Sequence, residues 1–298
     1  MHLKEHIFYT CRRILPYRIF SKLTGEIYSE ELNNMRKDLF SNRELLLKYP
    51  EEIKFMKRHG GIMTFPYDYA DSYIAEHIKV YEETSCGLKY VFHCGRKLFF
   101  PKKWSKKKIQ YYYNGLLIEQ DINSPHRYFT DEYTVDGGIF IDVGCAEAMS
   151  SLEVLDKVEE LYLFECDPEW EKPLKMTFKG YEKKVHIIPK YVSDHVDDKH
   201  TTLAKELGSR IEETLFIKLD LNGLEWDVLS ASKELINESK VMVFGTTYHH
   251  AEDAEKLFSG LQSLGFRCEF SKGYMLFTLS EPQYPYFRKG LIRARNYH

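Results

Sequence analysis

The stretch GGIFIDVGCAEAMSSLEVLDKVEELYLFECDPEW, residues 137–170, decides the fold. A short apolar run, Ile139 to Val143, follows a Gly pair and ends at Gly144. A helix-like segment comes next. A second apolar run, Leu161 to Phe164, ends at Glu165, and Asp167-Pro168 then supplies an N-cap and a first-turn proline for another helix. Short apolar strands alternating with helices define βαβ units and a mostly parallel sheet. The strands are continuous apolar runs rather than alternating ones, as in a sheet covered on both faces. The pattern continues through VHIIP, TLFIKLD, VMVFG, GFRCEF and YMLFTL. The last helix is well specified: Ala254, Leu257, Phe258, Leu261 and Leu264 share one face, and Gly265 ends it. The chain is expected to divide into an α-rich accessory region with a β-hairpin, residues 1–135, and a doubly wound α/β domain, residues 136–298.

Upstream, residues 1–25 carry five basic side chains and one acid, a basic amphipathic segment that Pro16 would kink. It reads as a solvated helix on the body, with contact to an anionic membrane surface as the alternative. Residues 29–60 predict two helices, the second opened by Pro50 and closed by Gly60-Gly61. LKYVFHCGRKLFF, residues 88–100, predicts a hairpin turning near Gly95. A lysine run at 102–108 reads as a solvated face, and a helix carries Ile109 to Ile118.

Composition narrows the classes. The chain has 298 residues, 42 Lys+Arg against 45 Asp+Glu and a net charge of -3, which excludes a globally basic nucleic-acid binder. A hydrophobic content of 43% excludes wholesale disorder. The aromatic content of 15% suits a lined cleft or sugar-facing surfaces. The six cysteines form no C-x-x-C pair, so zinc-site and disulfide frameworks fail on spacing, and reduced thiols in a cytoplasmic protein are expected. No run of ~18 apolar residues reads as a membrane span. Arg12, Arg13 and Arg18 interrupt any secretory signal at the N-terminus.

Ligands of doubly wound sheets lie at the carboxyl ends of the strands. Glu165 follows Gly144 by 21 residues, close to the ~20 expected of an acid that grips a ribose diol. The turn Gly144-Cys145-Ala146-Glu147-Ala148 lacks the G-x-G-x-x-G pattern that admits a pyrophosphate. Glu147 would repel a pyrophosphate and favours a cation at this helix start, unless it merely compensates the helix dipole. S-adenosylmethionine, with a diol, an ammonium group and no phosphate, fits better than a nicotinamide dinucleotide.

DVGCAEAMSSL, YLFECDPEW, KYVSDH and FIKLDLNGLEWDVL, in this order and spacing, resemble the FkbM family of S-adenosylmethionine-dependent methyltransferases. The resemblance covers roughly residues 136–280. It implies a class I methyltransferase fold of seven strands, the last antiparallel, and O-methylation of sugar or natural-product hydroxyls. By position it implies Asp142 and Gly144 at the cofactor loop, Glu165 at the ribose, Asp194 near the adenine and Asp220 by the reacting methyl, with Gly223 and Glu225 completing that motif. Ala148 stands where the family usually has a second Gly, and Asn222 where it usually has Glu. Those departures admit a cofactor-binding but inactive relative. A nicotinamide-dependent oxidoreductase is the remaining alternative.

Methyl transfer to a sugar hydroxyl calls for alignment and a base. Asp220, His249 and His250 lie past the fourth and fifth strands, with His249 favoured as base or orienting residue; its alternative is a helix-capping or core histidine. Asp220, Asn222 and His249 could also hold Mg²⁺, a reading ranked below the metal-free one. His126 and Arg127 precede the first strand of the sheet and are candidates for substrate binding, or else belong to a polar linker. The N-terminal region shapes the acceptor site or a homo-oligomer interface. The C-terminal YPYFRKGLIRARNYH reads as an anion-binding or solvated tail.

Overall fold

The computed structural model describes residues 27–208, 213–277 and 284–297. The amphipathic segment expected over residues 1–25 lies outside the described residues. Three helices open the described chain: α1 (Ile27–Ser41), α2 (Arg43–Lys48) and α3 (Pro50–His59). Two were expected. The additional break falls at Asn42, whose side chain accepts the Glu44 N–H and caps α2.

The strands β1 (Tyr81–Glu83), β2 (Leu88–His93) and β3 (Arg96–Phe100) form an antiparallel meander. The expected hairpin is β2–β3, turning through Cys94 and Gly95, both at positive φ as a two-residue hairpin turn requires. Next comes α4 (Lys106–Glu119), capped by the Ser105 hydroxyl. The rest alternates: β4 (Ile139–Val143), α5 (Met149–Val154), β5 (Glu160–Phe164), α6 (Pro168–Thr177), β6 (Val185–Ile188), β7 (Tyr191–Val192), β8 (His200–Thr201), α7 (Leu203–Leu207), β9 (Thr214–Leu219), α8 (Glu225–Ala231), α9 (Lys233–Glu238), β10 (Lys240–Thr246), α10 (Asp253–Ser263), β11 (Arg267–Phe270), β12 (Met275–Leu276), β13 (Phe287–Arg288) and β14 (Leu291–Arg295).

One sheet takes seven of these strands in the order β11-β14-β10-β9-β4-β5-β6. From β6 through β10 neighbouring strands pair in parallel, whereas β14 is antiparallel to both β10 and β11. A dinucleotide-binding sheet places its sixth strand directly beside the fifth. Here the last strand in the chain inserts between them. This is the class I methyltransferase-like, doubly wound α/β architecture.

The apolar runs are explained by two cores. Phe140, Leu161, Leu163, Phe216 and Phe244 face one side, against Val91, Leu98, Phe100 and Ile109 of the N-terminal meander and α4. Ile139, Ile141, Leu215, Ile217, Val241 and Val243 face the other, against Val228, Leu257 and Leu261 of α8 and α10. The N-terminal part thus shares a core with the sheet. At ~25 cal/mol per Å² of apolar surface, such shared burial ties the two parts together.

One strand assignment is corrected. YMLFTL does not supply the seventh strand; Met275 and Leu276 form a two-residue ladder with β13, and Leu276 packs on α1–α3. The seventh strand is LIRAR, read from the sequence as part of a basic tail. Arg293 misleads because its charge is buried: its guanidinium donates to the carbonyls of Tyr128 (2.8 Å) and Arg127.

Candidate functional site

The carboxyl ends of β4, β5, β9 and β10 meet at one edge of the sheet. β4 and β9 pair so that Asp142 lies opposite Lys218. The Lys218 ammonium donates to Asp142 Oδ1 at 2.7 Å and the Ser151 hydroxyl to Oδ2 at 2.6 Å. Burial would lower the Lys218 amine, but the Asp142 and Asp220 carboxylates outweigh it and raise it. Lys218 therefore stays charged. Asp142 is fully buried, so it acts on the following turn by anchoring it.

That turn bends sharply. Gly144, Ala146 and Ala148 all have positive φ. A Cβ on Gly144 would run into the carbonyl oxygen of Asp220, so only glycine lets the β4 and β9 loops approach. Ala148 holds φ +60°, ψ +41° as the N-cap of α5, the left-handed conformation for which glycine is suited. Its methyl group is therefore strained by ~1–2 kcal/mol.

Glu165, just past β5, reaches this turn. Its Oε2 accepts from Ala146 N at 2.9 Å and its Oε1 from Asp167 N at 2.8 Å. Desolvation pushes its carboxyl up to about 7, outweighing both hydrogen bonds. Among the described residues no cation lies within ion-pair distance of it. Glu147 is buried and accepts the Tyr112 hydroxyl at 2.6 Å from α4. Burial raises its carboxyl as well. Glu147 thus joins the turn to the N-terminal region.

Across the edge, Asp220 and His249 come together. His249 Nε2 lies 3.4 Å from Asp220 Oδ1, and Nδ1 lies 3.2 Å from Glu225 Oε1. Glu225 is buried. Its Oε1 also accepts from Leu221 N at 2.8 Å and Thr246 Oγ1 at 2.9 Å. Burial pushes its carboxyl up, yet His249 and the backbone N–H groups of Leu221 and Glu225 pull it below the usual range. The hydroxyls of Tyr248 (3.2 Å) and Tyr128 (3.4 Å) donate to Asp220. His126 is buried, and its Nε2 lies 3.3 Å from the Tyr248 hydroxyl, so the N-terminal region enters this network.

Other predicted site residues lie elsewhere. Asp194 is exposed and pairs with His195 at 2.8 Å. Arg127 donates to the Gln120 and Phe129 carbonyls. The side chain of His250 is half exposed and faces Asp253. Asn222 is exposed at φ +54°, a left-handed position that Asn tolerates, so a backbone reason for Asn stands here. The third group beside Asp220 and His249 is Glu225. Their ligand-capable atoms all lie within 4.8 Å of one another. Two of Glu225's donors are already on the same oxygen, and Mg²⁺ prefers oxygen ligands and several waters. The cluster thus sets the His249 ring between two carboxylates, with the Glu225 oxygen nearest it already held by Leu221 N and Thr246 Oγ1. Sequence reasoning missed Tyr248 and Lys218; the aromatic and lysine at the carboxyl ends of two apolar strands were the available signal.

No family model and no curated protein matches the chain. Solved structures do resemble it. The methyltransferase FkbM from Methylobacillus flagellatus KT aligns at 15% identity and a TM-score of 0.43, over 63% of this chain and 54% of that one. Trm5b from Pyrococcus abyssi aligns at 12% identity and 0.40, over 70% and 55%. Precorrin-6y C5,15-methyltransferase from Geobacter metallireducens GS-15 aligns at 15% identity and 0.37, over 54% and 82%. The aligned part thus spans about half the length of the first two.

Proposed function

We propose that the chain is an S-adenosylmethionine-dependent O-methyltransferase of the FkbM kind, with a sugar or glycan-precursor hydroxyl as acceptor. One observation carries this reading: the carboxylate past the second strand of the sheet is hydrogen-bonded to the backbone of the turn past the first. That brings an acid and a phosphate-free turn together where a ribose diol would be gripped. Glu165 would accept from the two ribose hydroxyls while its backbone donors hold it in place. Gly144 would let the donor's chain pass close to the backbone. When bound, the donor supplies an electrophilic methyl group. All other chemistry falls to this chain.

On the acceptor side, the Nδ1–H of His249 would face Glu225, 3.2 Å away, leaving the Nε2 lone pair as the base beside Asp220. An acceptor hydroxyl at that nitrogen gives up its proton as its oxygen takes the methyl group. The imidazolium then sits between the Asp220 and Glu225 carboxylates. General base help of this kind is worth typically ~10²–10⁴-fold. Tyr128 and Tyr248 fix the Asp220 carboxylate, and the N-terminal region, through His126 and Tyr112, serves as the wall of the acceptor site.

The test is calorimetric titration with S-adenosylhomocysteine. Wild type is expected to bind and Glu165→Ala to bind at least about tenfold more weakly, the loss of a charge-assisted hydrogen bond of ~1.5–3 kcal/mol. Undiminished binding in Glu165→Ala, or binding of a nicotinamide dinucleotide instead, overturns the assignment. His249→Gln is then expected to bind normally and to lose methyl transfer to a glycan acceptor.

A further inference from the structure

A second cluster of histidine and carboxylate lies on the surface, beyond β6. β7 and β8 pair in parallel, joined by the loop at residues 193–199. Parallel neighbours ordinarily need a crossover of a dozen or more residues. This loop is far shorter and has no apolar core: Val196 is 48% exposed. What gathers it is polar. His195 Nε2 lies 3.6 Å from Asp197 Oδ2, and His200 Nδ1 lies 2.9 Å from Asp197 Oδ1. The imidazole rings are 4.7 Å apart, and one ligand-capable atom from each of the three side chains lies within 4.8 Å of the others.

We propose that His195, Asp197 and His200 form a binding site for a divalent transition-metal ion of the zinc type, held at the loop that links β7 to β8. Three observations converge. With metal–ligand bonds of ~2.0–2.1 Å, atoms bound to one ion are separated by ~3.0 Å at right angles and ~3.4 Å in a tetrahedron. The nitrogen–oxygen separations of 2.9 and 3.6 Å bracket that range. Next, two imidazoles and one carboxylate are a borderline donor set that suits zinc over magnesium or calcium. Finally, Asp194 Oδ1 lies 2.8 Å from His195 Nδ1, so its carboxylate accepts the Nδ1–H hydrogen bond and leaves Nε2 as the metal-binding atom toward Asp197. A carboxylate holding the far nitrogen of a metal-ligating imidazole is the usual outer support of such sites. The ligand side chains are 57%, 49% and 32% exposed, so water completes the coordination. The ion would stitch the loop to β8 and take no part in methyl transfer. This site stands independently of the donor reading.

The experiment is titration of chelator-stripped full-length protein with Zn²⁺, followed by calorimetry, and with Co²⁺, followed by its visible absorption. One tight equivalent is expected. The double variant His195→Ala/His200→Ala is expected to lose it, and Asp194→Asn to weaken it by about tenfold. His249→Gln is expected to leave it unchanged, which separates this site from the buried cluster. Asp194 and His195 are exposed and His200 is half-buried on β8, so circular dichroism should match wild type. Tight binding that survives in the double variant, or that is lost in His249→Gln instead, overturns the proposal, as does the absence of tight binding in wild type.

Discussion

Glu165 and Glu225 sit past strands of the same sheet, and their environments displace them in opposite directions. Glu165 has two backbone donors, and burial still pushes its carboxyl up to about 7. Glu225 is more deeply buried, yet His249 and its N–H donors hold it below the usual range. The difference is the presence of a basic partner. Glu225 is a completed arrangement, its acceptor oxygen already supplied with donors from within the chain. Glu165 is a carboxyl that gains by accepting further hydrogen bonds, as from a diol. Donor side and acceptor side are thus separated by electrostatics as well as by position.

The strongest way to break this contrast is to disturb what both sides share. Lys218 lies between Asp142 and Asp220. Lys218→Met leaves Asp142 buried without its cation and is expected to cost ~3–5 kcal/mol, read as a lowered urea midpoint. Asp142→Leu/Lys218→Met is expected to recover most of that loss, because an apolar pair needs no compensation. Gly144→Ala touches the donor side alone. It combines a positive-φ penalty with a clash against the Asp220 carbonyl and is expected to cost at least ~2 kcal/mol.

Glu225→Gln sharpens the acceptor side. It removes charge-assisted hydrogen bonds and is expected to cost ~1.5–3 kcal/mol at pH 7. Because the folded pKa of Glu225 lies below its ordinary value, its stabilisation is present above ~4.5 and lost as pH falls through the folded value. The gap between variant and wild type should therefore close in acid. The smallest effect is expected at Ala148. Ala148→Gly relieves ~1–2 kcal/mol of left-handed strain and gives back ~0.4–1 kcal/mol of unfolded-chain entropy. A net gain of about 0.5 kcal/mol should appear in thermal melts.

The parallel half of the sheet was legible because its strands are apolar runs closed by glycine or acid, with helix signals between. The same regularity made Gly144 and Glu165 stand out. The antiparallel strand was not legible. Arg293 and Arg295 give LIRAR a surface-like composition, and the Arg127 and Tyr128 carbonyls, from a distant segment, with Glu269 at 3.9 Å, make burial of Arg293 affordable. The acceptor side was half legible for a related reason. Asp220, His249 and His126 were candidates from the sequence, but Tyr248 and the hydrogen bonds that join it and Tyr128 to Asp220 arise through tertiary contact. Asn222 shows the local version: it was read by its chemistry as a candidate Mg²⁺ ligand, while a left-handed turn decided its place.

The central claim is that an ionised Glu165 grips the donor's ribose. With its free pKa about 7, binding must expel a proton below that pH, and above it no proton is involved. Titration with S-adenosylhomocysteine between pH 5.5 and 8 tests this directly. The affinity of wild type is expected to fall about tenfold per pH unit below ~7 and to level off above it, with Glu165→Gln weaker and flat across the range. A wild-type affinity that is flat with pH and equal to that of Glu165→Gln would contradict it.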